Sequence, residues 1–431
     1  MKIFLSSLAI GLAAAACYGQ TPAKHPIVIH AARMLDVAAG KIVTPGEVLV
    51  EGERIVSAGP NIARPAGAQI IDLGDATLMP GLIDAHVHLF LHPGAEDLQT
   101  VEESVPQRTL IAAVAAKEDL LAGFTAERDM GSEGAGCADV AVRNAINSGL
   151  IPGPRMRVSC NAVDILGGHE DAINYNPAQQ VLSNADYADS TEDLIKVIRE
   201  QRKGGADFTK IYETGKDSLH DGVVKSPYQY TEAQLAAAVA EAARTGGGIH
   251  SGRGIAVHAT AEPGTGYAVA AGVASVDHAY QLSEVTIKAM HEKEIYAVPT
   301  FAIMEYFADH AETPERATRE RAELTFHAAE FKKQMAAGVP FAVGSDVGPF
   351  PHGTQAREME LMVEYGMKPA DVLKADLLNG AKLLGWSGQI GELKTGYYAD
   401  LIAVPGNPLE DISVLRRVTF VIKGGVVYRR P

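Results

Sequence analysis

The chain has three cysteines in 431 residues, Cys17, Cys137 and Cys160. So few exclude the disulfide framework of a small secreted domain. Cys137 and Cys160, which remain once the N-terminal segment is set aside, are expected as buried thiols, although an exported chain could pair them. No basic run appears, and with a net charge of −15 and a pI near 5.4 nothing is set to neutralise phosphates, so a nucleic-acid partner is excluded. The charge reports on solubility. No glycine-rich dinucleotide loop follows the first apolar strand, no phosphate loop ends in Lys-Ser, and Ser345 in "GSDVG" lacks the nucleophile-elbow spacing. Nothing therefore supports covalent serine or cysteine chemistry.

What is present is ordinary globular composition, 47% hydrophobic and 21% charged, which excludes disorder. The segment "MKIFLSSLAIGLAAAACYGQ" opens with a lysine and an apolar run from Ile3 to Ala16 that is too short to span a bilayer. Residues 1–19 therefore read as a signal peptide, and the mature protein is expected to be exported, periplasmic or secreted. Ala-Ala-Ala-Cys17 also has the look of a lipid acceptor site, so membrane attachment is expected only if Cys17 is lipidated.

Two β-rich stretches, 20–79 and 388–431, alternate short Val/Ile runs with Gly, Pro and Asp turns, and are expected to form one small β-sandwich built from both chain ends. Between them, 80–387 alternates apolar runs with amphipathic segments such as "TEDLIKVIREQRKGG", "TEAQLAAAVAEAART" and "PADVLKADLLNGAKLLG". Eight runs can be counted: "TLMPGLIDAHVH", "GFTAERDMG", "PRMRVSCNAV", "ADFTKIYETG", "GIAVHATAE", "VASVDHAYQ", "IYAVPTFAI" and "VPFAVGSDVG". Strand followed by helix, eight times, predicts an α/β fold of the (β/α)₈ barrel type.

The first run ends in His86-Val87-His88. Strand alternation sends both imidazoles to one face. His258, His278 and Asp346 close three other runs, and the ends of barrel strands meet at one mouth. Four imidazoles and a carboxylate there suit a divalent metal, zinc first. Lys210, ending a further run, is the odd member, because an ammonium is repelled by cations and must be neutral or converted. Other candidates are less constrained. His169 in "LGGHED" comes from the loop after the third run. Tyr212 could donate its hydroxyl to substrate or pack against the next helix. Arg253 in "GGGIHSGRG", read as a mobile loop, is expected to reach a substrate carboxylate. His352 in "FPHGTQ" is expected beside substrate, steadying the Asp346 loop.

"MPGLIDAHVHL", "ADFTKIYETG", "AVHAT", "SVDHAY" and "GSDVG" resemble the metal motifs of the amidohydrolase superfamily in order, and "GNPLEDISVLRRVTFVIKGGVVY" resembles its C-terminal β-segment. "GGHEDA" and "PHGTQAREMELMVEYGMKPADVLKADLLNGAKLLG" are similar to the branch holding imidazolonepropionase-like proteins, Xaa-Pro dipeptidases, N-acyl-amino-acid carboxypeptidases and ochratoxin-hydrolysing amidohydrolases. The resemblance implies two divalent metal ions. His86, His88 and Asp346 would hold one and His258 and His278 the other, with Lys210 bridging them as a CO2-derived carbamate. It implies attack by activated water on an amide carbonyl, with Asp346 moving the proton to the leaving amine and His169 binding the substrate's carbonyl or carboxylate. A small-molecule amide is the expected partner, ochratoxin A a trial substrate, and a homo-oligomer, frequently an octamer, the expected assembly. A cyclic-amide hydrolase and an exported metal-scavenging protein remain as alternatives.

Overall fold

Short Val/Ile-rich runs at both chain ends become strands that share sheets. The computed structural model describes residues 25–431 apart from 172–174, 177, 180 and 222, so the expected signal peptide and Cys17 lie outside the described residues. One four-stranded sheet runs in the order Arg54–Gly59, Gly46–Glu51, Ile27–Ala31, Gln69–Asp72. A six-stranded sheet takes strands from both ends, in the order Val426–Arg429, Phe420–Lys423, Leu401–Pro405, Ala76–Pro80, Arg33–Asp36, Lys41–Val43. Its seam is the antiparallel register Leu401 with Pro80 to Pro405 with Ala76. Ile29, Val48, Leu78, Leu401, Phe420 and Ile422, all fully buried, form one apolar cluster across the two sheets. Each such side chain is worth about 1.5–3 kcal/mol.

The middle of the chain forms parallel strands separated by helices. Arg155–Val158, Phe124–Asp129 and Leu82–Val87 make one parallel sheet. Ala185–Tyr187, Ala162–Asp164, Thr209–Tyr212, Ile255–Ala259, Ser275–His278 and Tyr296–Val298 make another. The intervening helices are locally specified. Thr191–Gly204 starts at Ser190, whose hydroxyl accepts from Asp193 N, and buries Leu194, Val197, Ile198 and Gln201 on one stripe. Glu232–Arg244 carries a full capping box between Thr231 and Gln234. Val105–Ala122 ends at Gly123 with φ +107°, a left-handed stop that a side chain resists.

Three of the eight expected strands differ in detail. The first run breaks at Gly81, so Ala76–Pro80 joins the terminal sheet while Leu82–Val87 joins the parallel one; a Cβ at Gly81 would strike the Thr125 side chain. The third splits at Ser159–Asn161, where Cys160 is left-handed (φ +66°). The eighth is no regular strand. Phe341 bridges Ala297 and Val347 bridges Val87, while the N–H groups of Ala85 and His88 donate to Val343 and Val347 at 2.9 and 2.8 Å. Left-handed Asp346 (φ +62°) interrupts this run. The thiol expectation is also corrected: Cys137 and Cys160 form a disulfide. Strand Arg155–Val158 carries Cys160 to the start of helix Ala138–Asn147, beside Cys137, a meeting that a sequence separation of 23 does not announce.

Candidate metal centre and active site

Strand ends assemble the site. His86 lies within Leu82–Val87 and His88 just beyond it. Lys210 and Tyr212 come from Thr209–Tyr212, His258 from Ile255–Ala259, His278 from Ser275–His278, and Asp346 from the following irregular run. All of them line one cavity of about 210 Å³. His86 Nε2 and His88 Nε2 are 3.2 Å apart, and both aim at Asp346 Oδ1, at 3.3 and 3.2 Å. Among the described residues, one group offers three ligand atoms within 4.8 Å of one another: His86, His278 and Asp346. The His258 ring stands 4.4 Å from that of His278, and its buried Nε2 has no hydrogen-bond partner. Nitrogens converging on one carboxylate oxygen, with an orphaned imidazole nitrogen beside them, are what a cation would satisfy.

The rings are held from behind. His86 Nδ1 faces Asp277 Oδ1 at 3.3 Å, and Arg128 fixes that carboxylate at 3.0 Å. His88 Nδ1 meets Glu133 at 2.7 Å, and His278 Nδ1 meets Thr300 Oγ1 at 2.8 Å. Such partners orient metal-binding imidazoles and set which nitrogen is free. His278, Thr300 and Asp346 all have left-handed backbone, with φ of 72°, 55° and 62°. Two of them line the cavity and the third bonds to His278, and strained non-glycine residues gathered in this way are the pattern of a functional site.

Electrostatics agree. Burial, and then the charge of Lys210, pushes His86 down to about 4, and burial holds His258 and His278 well below their usual range. These rings are neutral, the state in which an imidazole can bind a cation. Burial would raise Asp346, but His86 and His88 hold its carboxyl well below the usual range. Burial also lowers the Lys210 ammonium, whose Nζ lies 5.2 Å from the Tyr212 ring. The aromatic side of the cavity stacks His169 on Tyr212 at 5.0 Å and 10°, with His169 4.2 Å from His258.

The amidohydrolase family model matches residues 77–428. The chain belongs to the amidohydrolase family. This amidohydrolase is 31% identical to an ochratoxinase of Aspergillus niger over 383 residues, covering 82% of this chain and 76% of that protein. Among solved structures, a Xaa-Pro dipeptidase with bound methionine in its active site superposes with a TM-score of 0.83 at 29% identity, covering 94% of this chain and all of that one. The A. niger ochratoxinase structure gives 0.80 at 27% identity, covering 94% and 96%. Together they make this chain an α/β metal-dependent amide hydrolase of the amidohydrolase superfamily.

Of the sequence candidates, the amidohydrolase cavity gathers His86, His88, His169, Lys210, Tyr212, His258, His278 and Asp346. It does not gather Arg253 or His352. Arg253 precedes its strand instead of following it, and lines a hollow with Arg155 and Trp386. His352 turns its Nδ1 onto Asp119 at 2.8 Å, on helix Val105–Ala122, and is not among the residues that line the cavity. Sequence reasoning missed Asp84, Glu133, Asp277 and Thr300. Asp84 and Asp277 carried a signal, as acids inside otherwise apolar runs must be paired when buried.

Proposed function

We propose that this amidohydrolase is a binuclear enzyme that cuts a small N-acyl amino acid or dipeptide and releases an amino acid. One observation carries the reading: the histidine cluster shares its cavity with an apolar wall of Leu91, Ile303, Met304 and Phe307. That wall suits an apolar leaving group, and ochratoxin A, an N-acylated phenylalanine, is a fitting trial substrate. His86, His88 and Asp346 would hold one ion and His258 and His278 the other, with zinc matching nitrogen plus carboxylate donors. When bound, the ions supply Lewis acidity that activates water and polarises the carbonyl.

The remaining steps belong to the side chains. A neutral Lys210 amine adds to carbon dioxide, forming an N–C bond and releasing a proton, and becomes an anionic oxygen donor; burial of its ammonium favours this. Asp346, ionised and facing both His86 and His88, accepts the attacking water's proton and returns it to the leaving nitrogen. His169 is neutral through burial and the Tyr212 hydroxyl stays protonated, so each can donate to the oxyanion.

In the same reading the parallel strands close as a (β/α)₈ barrel, supported by residues 341–347 bonding toward both Ala297 and residues 85–88. The two terminal sheets form a β-sandwich, supported by their shared apolar cluster. Export is supported by the disulfide, which persists in oxidising compartments.

The test is product release by the mature protein from N-acyl amino acids, Xaa-Pro dipeptides and ochratoxin A, with zinc and after chelation. Amino acid that appears and vanishes on chelation supports the proposal. A metal-loaded protein that leaves every linear amide intact turns the reading to cyclic amides. Lys210→Ala with full metal content and rate would remove the bridging role.

A further inference from the structure

At the other end of the parallel strands from the histidine cluster is an open hollow of about 610 Å³. Its residues stand before the strands. Arg155 and Arg157 open Arg155–Val158, Asp207 precedes Thr209–Tyr212, and Arg253 precedes Ile255–Ala259. Five arginines line it, and among the described residues on its wall Asp207 is the one carboxylate.

The charges do not balance. Arg155 is matched by Asp400 through two bonds, of 2.5 and 3.1 Å. Arg143 and Arg157 share Asp207, at 2.6 and 3.3 Å. Arg202 donates only to the carbonyls of Ala206 and Arg253, at 3.0 and 2.7 Å, and its buried Nε has no partner. Arg253 is exposed. Four guanidiniums thus face one carboxylate, a surplus of three positive charges in a chain whose net charge is −15. Burial, and then the Arg253 charge, lowers Arg202 to about 10, against the opposing pull of Asp207. Arg157 lies over the Trp386 ring at 4.4 Å, which keeps its fork facing the hollow rigid.

We propose that this hollow binds a compact polyvalent oxyanion of the phosphate class, gripped by Arg202 and Arg253, with Arg143 and Arg157 completing its wall. Planar guanidinium forks match tetrahedral oxyanions bidentately, and a ligand with several charges is needed to offset the surplus.

The experiment titrates the mature protein with inorganic pyrophosphate, phosphate and chloride at matched ionic strength, following the melting temperature and heat of binding. The expected result is saturable binding, tighter for pyrophosphate than for phosphate and absent for chloride. Arg253→Gln, on an exposed side chain, should keep the ligand-free melting temperature and weaken pyrophosphate about ten-fold, the loss of one charge-assisted contact. Arg202→Gln should weaken it at least as much. No saturable binding by the wild type, or equal affinity in Arg253→Gln, overturns the proposal.

Discussion

Asp84 is the most informative residue to perturb, since it joins the segment bearing the first two histidines to the one bearing Asp346. Its Oδ1 accepts from His86 N and from Ser345 N, each at 3.0 Å, and Ser345 Oγ donates to Oδ2 at 2.5 Å. The group is wholly buried, and that burial pushes its carboxyl up to about 7. Asp84→Ala strands two buried N–H groups at about 1–3 kcal/mol each, so a loss of roughly 2–6 kcal/mol is expected. Asp84→Asn keeps an oxygen for both N–H groups and removes the cost of burying charge, so it should stay within about 1 kcal/mol. Alanine also frees His86 and Asp346 to move, and loss of such a support costs about 10–100-fold in metal affinity. The assay is melting temperature with bound zinc per chain, on wild type and both variants. An alanine variant that melts with the wild type and holds its metal refutes the reasoning. So does an asparagine variant as damaged as the alanine one.

Three further outcomes are expected. Asp346→Asn keeps an oxygen donor but no base, so it should retain most of its metal and lose about 10²–10⁴-fold in turnover, read by metal analysis beside kcat. His352 is pulled down by burial but held above its usual value by Asp119, so the pair's stability is fully present below pH 6.5 and fades as pH rises through the raised value. His352→Gln should therefore destabilise more at pH 6 than at pH 9, while KM for an amide substrate stays near wild type, as calorimetry and kinetics will show. Opening the Cys137–Cys160 bridge by Cys137→Ser with Cys160→Ser should cost about 3 kcal/mol for a loop of 23-residue separation; an unchanged denaturation midpoint would contradict this.

The residues that the cavity gathers were legible because they obey local rules. Strand alternation joins His86 to His88, successive strand ends add His258 and His278, and the irregular eighth run adds Asp346. Their partners obey no local rule. Glu133 reaches His88 from the loop after another strand, and Thr300 reaches His278 from a turn 22 positions on. The displacement of Arg253 was open to deduction. In a parallel strand–helix repeat, loops that follow strands gather at one end and loops that precede them at the other. "GGGIHSGRG" precedes the strand Ile255–Ala259, so its arginine belongs to the end away from the histidines. Chemical aptness for a substrate carboxylate could not outweigh chain direction. The same rule keeps His169 in place, because "LGGHED" follows Ala162–Asp164, and it explains why a basic hollow and a metal cavity occupy opposite ends of one set of strands.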